Sequence, residues 1–322
     1  MVLAVLPLKK TEVLRELEAL IENDTAGDPM SALKWSRKST YALSEELCAR
    51  NIFISPRTTG KLLKHIDYSL KANRKTIAET HHPERNRQFE IIGDRKKRFA
   101  DIDQPIISVD SKKKELVGNF KNQGRTWEKE SEKVFAHDFR SMAEGIANPY
   151  GIYDMRANNG TVVVGTSCDT PAFAVDSIEL WLISSGWQEY PHMKQLLILC
   201  DSGGSNSYRA RAWKHGLYSK ISRVYGISIT VCHYPPGASK WNPVDHRLFS
   251  FISINWAGKP LRSYEIILNF IRNTTTKQGL QVDAILNENK YEKGIKISDT
   301  QMNEINIRNN ELLPQWNYTI VP

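Results

Sequence analysis

The chain has 322 residues, 40% of them hydrophobic and 25% charged, which is enough apolar material for a buried core in two domains or one large one. No apolar run approaches the ~20 residues of a membrane-spanning helix, so none is predicted. The net charge of +8 points to an anionic partner. It is uneven: residues 1–100 hold 19 Lys+Arg against 13 Asp+Glu, and the rest of the chain 25 against 23.

The opening "MVLAVLPLKK" has no basic residue before its apolar stretch and no small-residue cleavage site. It predicts no signal peptide and a cytoplasmic protein. Cys48, Cys168, Cys200 and Cys232 are far apart without a CxxC, which predicts buried free thiols rather than disulfides or a zinc site.

In the first third, "STYALSEELCARNIFISPRTTGKLLKHI" predicts two short helices with a tight connection. Ser39 caps the first, with Leu43 and Leu47 inward; Ser55-Pro56 starts the second, with Leu62, Leu63 and Ile66 inward. The first turn of the second helix offers Ser55, Arg57, Thr58, Thr59 and Lys61, the end that meets bases and phosphates in a helix-turn-helix. A plain αα-hairpin has the same pattern. The next stretch is basic and polar, broken at His81-His82-Pro83, and a helix from Pro83 carries Phe89, Ile92 and Phe99 on one side. It is expected as a connector. His81 and His82 lack partners at zinc spacing and are expected as loop residues.

From residue 104 the texture becomes strand-like. Ile106, Ile107 and Val109 end at Asp110, and "ELVGNF" is expected as the hairpin partner. "GTVVVGTSCD" is a second strand, followed by a helix through Phe173, Ile178, Trp181 and Leu182. "KQLLILCDSGGSN" is a strand buried on both faces that ends at Asp201. A helix, the strand "ISITVCHYPPG" and a helix starting near Pro243 follow. Hairpin strands followed by strand–helix alternation predict an α/β fold with a mixed sheet flanked by helices, with sites at strand ends.

Asp110, Asp201 and Asp245 are the acids this pattern can bring together. Three carboxylates repel each other unless divalent cations neutralise them, and oxygen ligands suit Mg²⁺ or Mn²⁺. Each has a structural alternative. Asp110 and Asp201 can be turn residues, the latter with Gly203-Gly204 supplying positive φ. Asp245 fits the third position of a helix capped by Asn242 with Pro243 at the first. Asp169, expected to cap the helix after it, and Asp176 within that helix compete for the site. Lys112 and Lys113 are either a solvated tip or a contact to DNA backbone.

The stretches "VDSKKKELVGNFKNQGR", "LLILCDSGGSN", "VCHYPPGASKWNPVDHRLFSFIS", "NWAGKPLRSYEIILNFIRNTTTKQGL" and "WNYTIVP" resemble the ISAzo-thirteen family of insertion-sequence transposases, whose catalytic region is the Rhodopirellula-type transposase DDE domain. The likeness runs in order from about Ser31 to the C-terminus. It implies an RNase H-like catalytic domain over residues 104–322 and a basic connector over 81–103, after the small helical helix-turn-helix domain that the residue pattern predicts over 1–80. It also implies a catalytic, metal-binding triad of Asp110, Asp201 and Asp245 with two Mg²⁺ or Mn²⁺ ions. The implied activity is cutting of transposon ends and joining of the freed 3′-hydroxyl to target DNA, by a dimer or higher oligomer on double-stranded DNA in the bacterial cytoplasm. The family generally has glutamate where this chain has Asp245, and a longer N-terminal region, so the resemblance implies truncation there. Two other readings remain: an inactive DNA-binding derivative acting as repressor or competitor, and an RNase H-like nuclease without strand transfer. His246 is expected to pack on its helix face, and Arg247 to pack or to orient a phosphate.

Overall fold

The computed structural model describes residues 10–23, 26–27, 34–35, 38–70 and 82–322. The chain forms two compact units, residues 1–76 and 77–322. Residues 71–81 of the basic stretch, His81 among them, lie outside the described residues.

The first unit holds helix α1 (Lys10–Asn23), the short antiparallel pair β1 (Ala26–Gly27) and β2 (Lys34–Trp35), and helices α2 (Thr40–Ala49) and α3 (Pro56–His65). Val13, Leu17, Leu20 and Ile21 recur at helical spacing along α1 and cluster with Leu43, Leu47 and Leu62. Ile52, in the connection that breaks the helical pattern, is buried in the same cluster, while Leu63 and Ile66 are half-buried against it. Asn51 takes φ 62°, which ends the preceding helix. The caps are those expected: Ser39 Oγ accepts the Ala42 N–H at 3.1 Å, and Ser55 Oγ accepts the Thr58 N–H at 3.2 Å ahead of Pro56.

The second unit begins with α4 (Arg85–Asp101), followed by strands β3 (Ile106–Ser111), β4 (Glu115–Val117), β5 (Gly145–Asp154) and β6 (Asn159–Gly165). After them come β7 (Gln195–Cys200), β8 (Ser228–His233), β9 (Gln281–Asn287), β10 (Asn306–Asn309) and β11 (Asn317–Val321). The sheet order is β10-β11-β8-β7-β3-β5-β6-β9, with β4 paired to β5. In the inner five strands, β6-β5-β3-β7-β8, β5 alone is antiparallel to its neighbours. That order and polarity are the RNase H-like arrangement expected from the resemblance.

One pairing differs from expectation. "ELVGNF" supplies β4, which pairs with β5 rather than with β3; the antiparallel neighbour of β3 is β5. Pro149 and glycines 145 and 151 break the strand signal of β5, although its register with β3 and β6 is continuous.

Helices cover both faces. On one, α5 (Pro171–Trp181) continues through a π-helical turn at Leu182–Gly186 into α6 (Trp187–Glu189), and α7 (Arg211–Gly216) through another at Leu217–Ser222 into α8 (Arg223–Tyr225). Phe173, Ile178, Trp213 and Leu217 pack there on Ile107, Val109 and Ile198. On the other face lie α4, α9 (Ser250–Asn255) and α10 (Tyr264–Arg272). Val244, Leu248, Ile252 and Ile267 meet Val162 and Val164, while Ile92 and Phe99 meet Ile106, Leu197 and Leu199. The odd and even positions of each strand thus serve opposite layers. The remaining helix, α11 (Asp299–Asn303), starts with a capping box at Ser298.

Expected as a connector, α4 is instead an integral part of this unit. Its buried Gln88 donates to the His233 carbonyl at 2.8 Å and exchanges hydrogen bonds with Asn317 at 2.9 and 2.6 Å. His82 packs its ring edge-on to Trp316 at 4.6 Å. All four cysteines are free; Cys200 and Cys232 are buried as expected, but Cys168 is half-buried and Cys48 exposed. Cys48 lies on α2 beside Leu47, one position off the buried face. Among the described residues no helix is long and apolar enough to cross a membrane.

Candidate active site

Asp110 is the penultimate residue of β3, and Asp201 directly follows β7. Val109 pairs with Cys200 in the parallel ladder, so the next positions, Asp110 and Asp201, lie on neighbouring strands spaced about 4.8 Å apart. Asp245 opens a π-helical turn, Asp245–Phe249, that leads into α9. π-turns of this kind recur at functional sites.

The segment before Asp245 is anchored differently from expectation. Asn242 does not cap its own helix with its side chain. It is fully buried, accepts from Ser108 Oγ at 2.5 Å and donates to the Val109 carbonyl at 3.2 Å. The open N–H of Val244 is satisfied by Ser108 Oγ at 3.0 Å. The helix carrying the third acid is therefore tied to the strand carrying the first, two residues before Asp110. Asp110 is itself opposite Gly151 in β5. A Cβ on Gly151 would lie 2.5 Å from Phe249 Cε1 and 3.1 Å from Val244 Cγ2, so the bare glycine allows this close approach.

The acids act on one another. Burial, then the charge of Asp201 and more weakly those of Asp245 and Asp169, push Asp110 up to about 8, opposed by the Ser111 N–H. That N–H donates to Asp110 Oδ1 at 2.7 Å. Burial and then Asp245 push Asp201 up to about 6, against a hydrogen bond from Asn242. Burial also raises Asp245, opposed by nearby His246. Burial and other acids, rather than cationic side chains, act most strongly on Asp110 and Asp201 among the described residues.

In donor type and charge this set suits a hard divalent cation, and the buried Asp201 Oδ1 has no hydrogen-bond partner. A closed three-ligand cage is not formed: among the described residues no three His, Cys, Asp or Glu side chains are gathered tightly enough to hold an ion. A hollow of about 420 Å³ opens beside Asp201, lined also by Ser202, Tyr208, Arg209, Pro235 and Pro236.

Two neighbours join the site: His233, which the sequence pattern did not single out, and Asp169, which it left as a competing acid. His233 ends β8 and is buried; its Nδ1 lies 2.9 Å from the Asp201 carbonyl and its Nε2 3.1 Å from Tyr318 Oη, which accepts from Trp213 Nε1 at 3.1 Å. Burial lowers this imidazole to about 4, so at neutral pH it is uncharged and donates from Nδ1. The available signal was a histidine at the end of an apolar strand. The second neighbour is Asp169, whose Oδ1 accepts from Ser111 Oγ at 3.2 Å. It does not cap α5; Thr170 does, accepting from the Phe173 N–H at 3.3 Å. Asp176 is held elsewhere by Lys220 and by Tyr291 Oη at 2.9 Å.

Of the residues expected at DNA, Arg57, Thr58 and Lys61 are exposed on the first turns of α3, and Ser55 is exposed but engaged as the cap. Thr59 is a correction: it is fully buried, with its hydroxyl donating to the Ser55 carbonyl at 3.1 Å. Its place in the i+4 position from Ser55 turns it into the core. Lys112 is another, since its ammonium lies 3.1 Å from Glu115 and 4.5 Å from the centre of the Trp256 ring. Lys113 is exposed. His246 is exposed rather than packed on its helix, with Nε2 against the Lys240 carbonyl, and Arg247 donates to Gln278 Oε1 at 3.1 Å.

The family profile described as Rhodopirellula transposase DDE domain matches residues 16–322. Similar solved structures include the Mos1 transposase paired-end complex with left transposon end, at 17% identity over 83% of this chain and 71% of that one, TM-score 0.43. The Mos1 mariner paired end complex with Mn gives 17% identity over 83% and 72%, TM-score 0.41. Comparison with curated proteins gave no match.

Proposed function

Because the chain belongs to the Rhodopirellula transposase DDE domain family, we propose that it cuts transposon-end DNA and joins the freed 3′-hydroxyl to target DNA, with Asp110, Asp201 and Asp245 as the catalytic acids. The observation that carries this reading is that Asp110 and Asp201 stand at the ends of adjacent parallel strands, each raised by burial and by neighbouring acids, Asp245 among them. Their oxygens would hold Mg²⁺ or Mn²⁺, Asp110 and Asp201 as the shared pair and Asp245 as the completing ligand. When bound, such ions supply Lewis acidity at both the attacking and the leaving oxygen of a phosphodiester.

The chain's own groups orient the site. His233 holds the Asp201 backbone, and the Ser108–Asn242 link sets the Asp245 helix against β3. The nearest thiol, Cys200, is fully buried and pushed well up by that burial, so it provides no thiolate and no covalent intermediate is part of the reading. The exposed Arg57, Thr58, Lys61 and Lys113 are the proposed DNA contacts, and pairing of two ends calls for a dimer or higher oligomer.

Cleavage of the element's end DNA with Mg²⁺ or Mn²⁺ tests the reading. Wild type should nick, and Asp245→Ala should not. Equal nicking by both would remove Asp245 from the chemistry, and tight binding without cutting by wild type would favour a repressor.

A further inference from the structure

At the opposite end of the strands from the acids lies a cavity of about 340 Å³, between the C-terminal half of α4 and the sheet edge. It includes Gln195 and Ser228, the first residues of β7 and β8. Asp201 is six residues beyond Gln195, about 20 Å along a strand. The floor is a row across three strands in register: Thr230 of β8 pairs with Thr319 of β11, which pairs with Arg308 of β10. The two threonine hydroxyls are 3.0 Å apart. Along β8 and β11, alternation sends Val231 and Ile320 to the opposite core, so this face of the outer strands is polar. From α4, Arg95 and Arg98 line the wall one turn apart.

These arginines are not spent on carboxylates. Among the described residues none of the ion pairs uses Arg95, Arg98 or Arg308; Arg95 donates to Asn310 Oδ1 at 3.1 Å. Among the described residues no acid lines the cavity; Asp94 lines an adjoining hollow with Arg95 and Arg98. Guanidinium groups and threonine hydroxyls lining one cavity are the chemistry of oxyanion recognition. Phe99, Tyr318 and Val321 are the lining's sole apolar or aromatic residues, too little wall to enclose a base.

We propose that this groove is a second nucleic-acid contact, in which Arg98 and Arg308 bind backbone phosphates of a DNA segment away from the cut. The assignment to DNA rests on the transposase reading above. The groove is independent of the acids, because it is built from the other end of the sheet and from α4.

The test uses the full chain and a duplex of arbitrary sequence, with affinity measured across a salt series. Arg98→Ala/Arg308→Ala should weaken binding by roughly 10-fold or more at low salt and flatten the log–log salt slope by about two. Both side chains are exposed, so the melting curve should not change. The Arg98→Lys/Arg308→Lys variant should restore the slope, since the charges are kept. Unchanged affinity and slope in the alanine variant, or a lysine variant as weak as the alanine one, would overturn the proposal. Inorganic phosphate is the second probe: if it stabilises wild type but not the alanine variant while duplex binding is the same for both, the site takes free phosphate and the DNA assignment fails. Mg²⁺-dependent nicking separates the two readings. Wild type that binds through the groove yet never nicks retains the groove and refutes the catalysis. Wild type that nicks, beside an alanine variant that binds and nicks equally, refutes the groove alone.

Discussion

Ser108 Oγ donates to the buried Asn242 Oδ1 at 2.5 Å while accepting the Val244 N–H at 3.0 Å, so one hydroxyl joins the strand of the first acid to the helix of the third. Ser108→Ala leaves both Asn242 Oδ1 and the Val244 N–H without this partner. The expected cost is about 1–3 kcal/mol of stability, as for buried polar groups left unpaired. Nicking should fall further than the melting temperature explains, because Asp245 loses its anchor. Thermal melts paired with nicking rates at a temperature where the variant is folded check this, and full activity per folded molecule would count against it.

Gly151 faces Asp110 across the ladder and lies under Phe249. Gly151→Ala places a methyl 2.5 Å from Phe249 Cε1, so the helix bearing Asp245 must shift. A loss of roughly 1–3 kcal/mol is expected from overpacking, with reduced nicking. Gly203→Ala is the control, since its Cβ meets nothing within 4 Å. Equal melting of the two variants would refute the packing argument.

Asp110 carries a folded-state value near 8 against an ordinary 3.8. A raised value means the folded state holds its proton more tightly, so this contribution to stability is full below pH 3.8 and is lost as pH rises through about 8. Asp110→Asn has no proton to lose. The variant should gain on wild type progressively between those limits and be more stable at pH 8–9, on the order of 1–3 kcal/mol, while losing nicking. Urea titrations at pH 5 and pH 8.5 measure the difference; a gap that is the same at both would contradict the burial and charge repulsion described.

On α3, neighbouring residues should separate binding from stability. Arg57→Ala/Lys61→Ala should weaken DNA binding and reduce its salt slope without altering the melt, because both side chains are exposed. Thr59→Ala should lower stability by roughly 1 kcal/mol and leave the slope alone, because its hydroxyl bonds the Ser55 carbonyl inside the helix. An unchanged slope in the first variant would take α3 out of the interface.

The local signals were legible because their physics is local. Ser39, Ser55 and Pro56 mark helix starts through bonds within one turn, and the apolar runs ending at Asp110 and Asp201 announce strands whose ends face a site. The broken run Gly145–Asp154 was hidden because Pro149 and two glycines erase its alternation; its pairing on both edges and the helix packed on Gly151 accommodate them. Asp169 beside Asp110, and His233 behind Asp201, depend on which strands are neighbours, which no spacing encodes.

Chain order alone carried the alternation of strands and helices, the three acids and their motifs, since each is a property of a few adjacent residues. Tertiary packing decided that Asn242 ties down β3 rather than capping its helix, that Thr59 and Lys112 turn away from solvent partners, and that α4 belongs to the sheet's cover. Those outcomes follow from competition among buried hydrogen-bonding groups brought together from distant segments, where each donor takes the acceptor that the fold, not the sequence neighbourhood, presents.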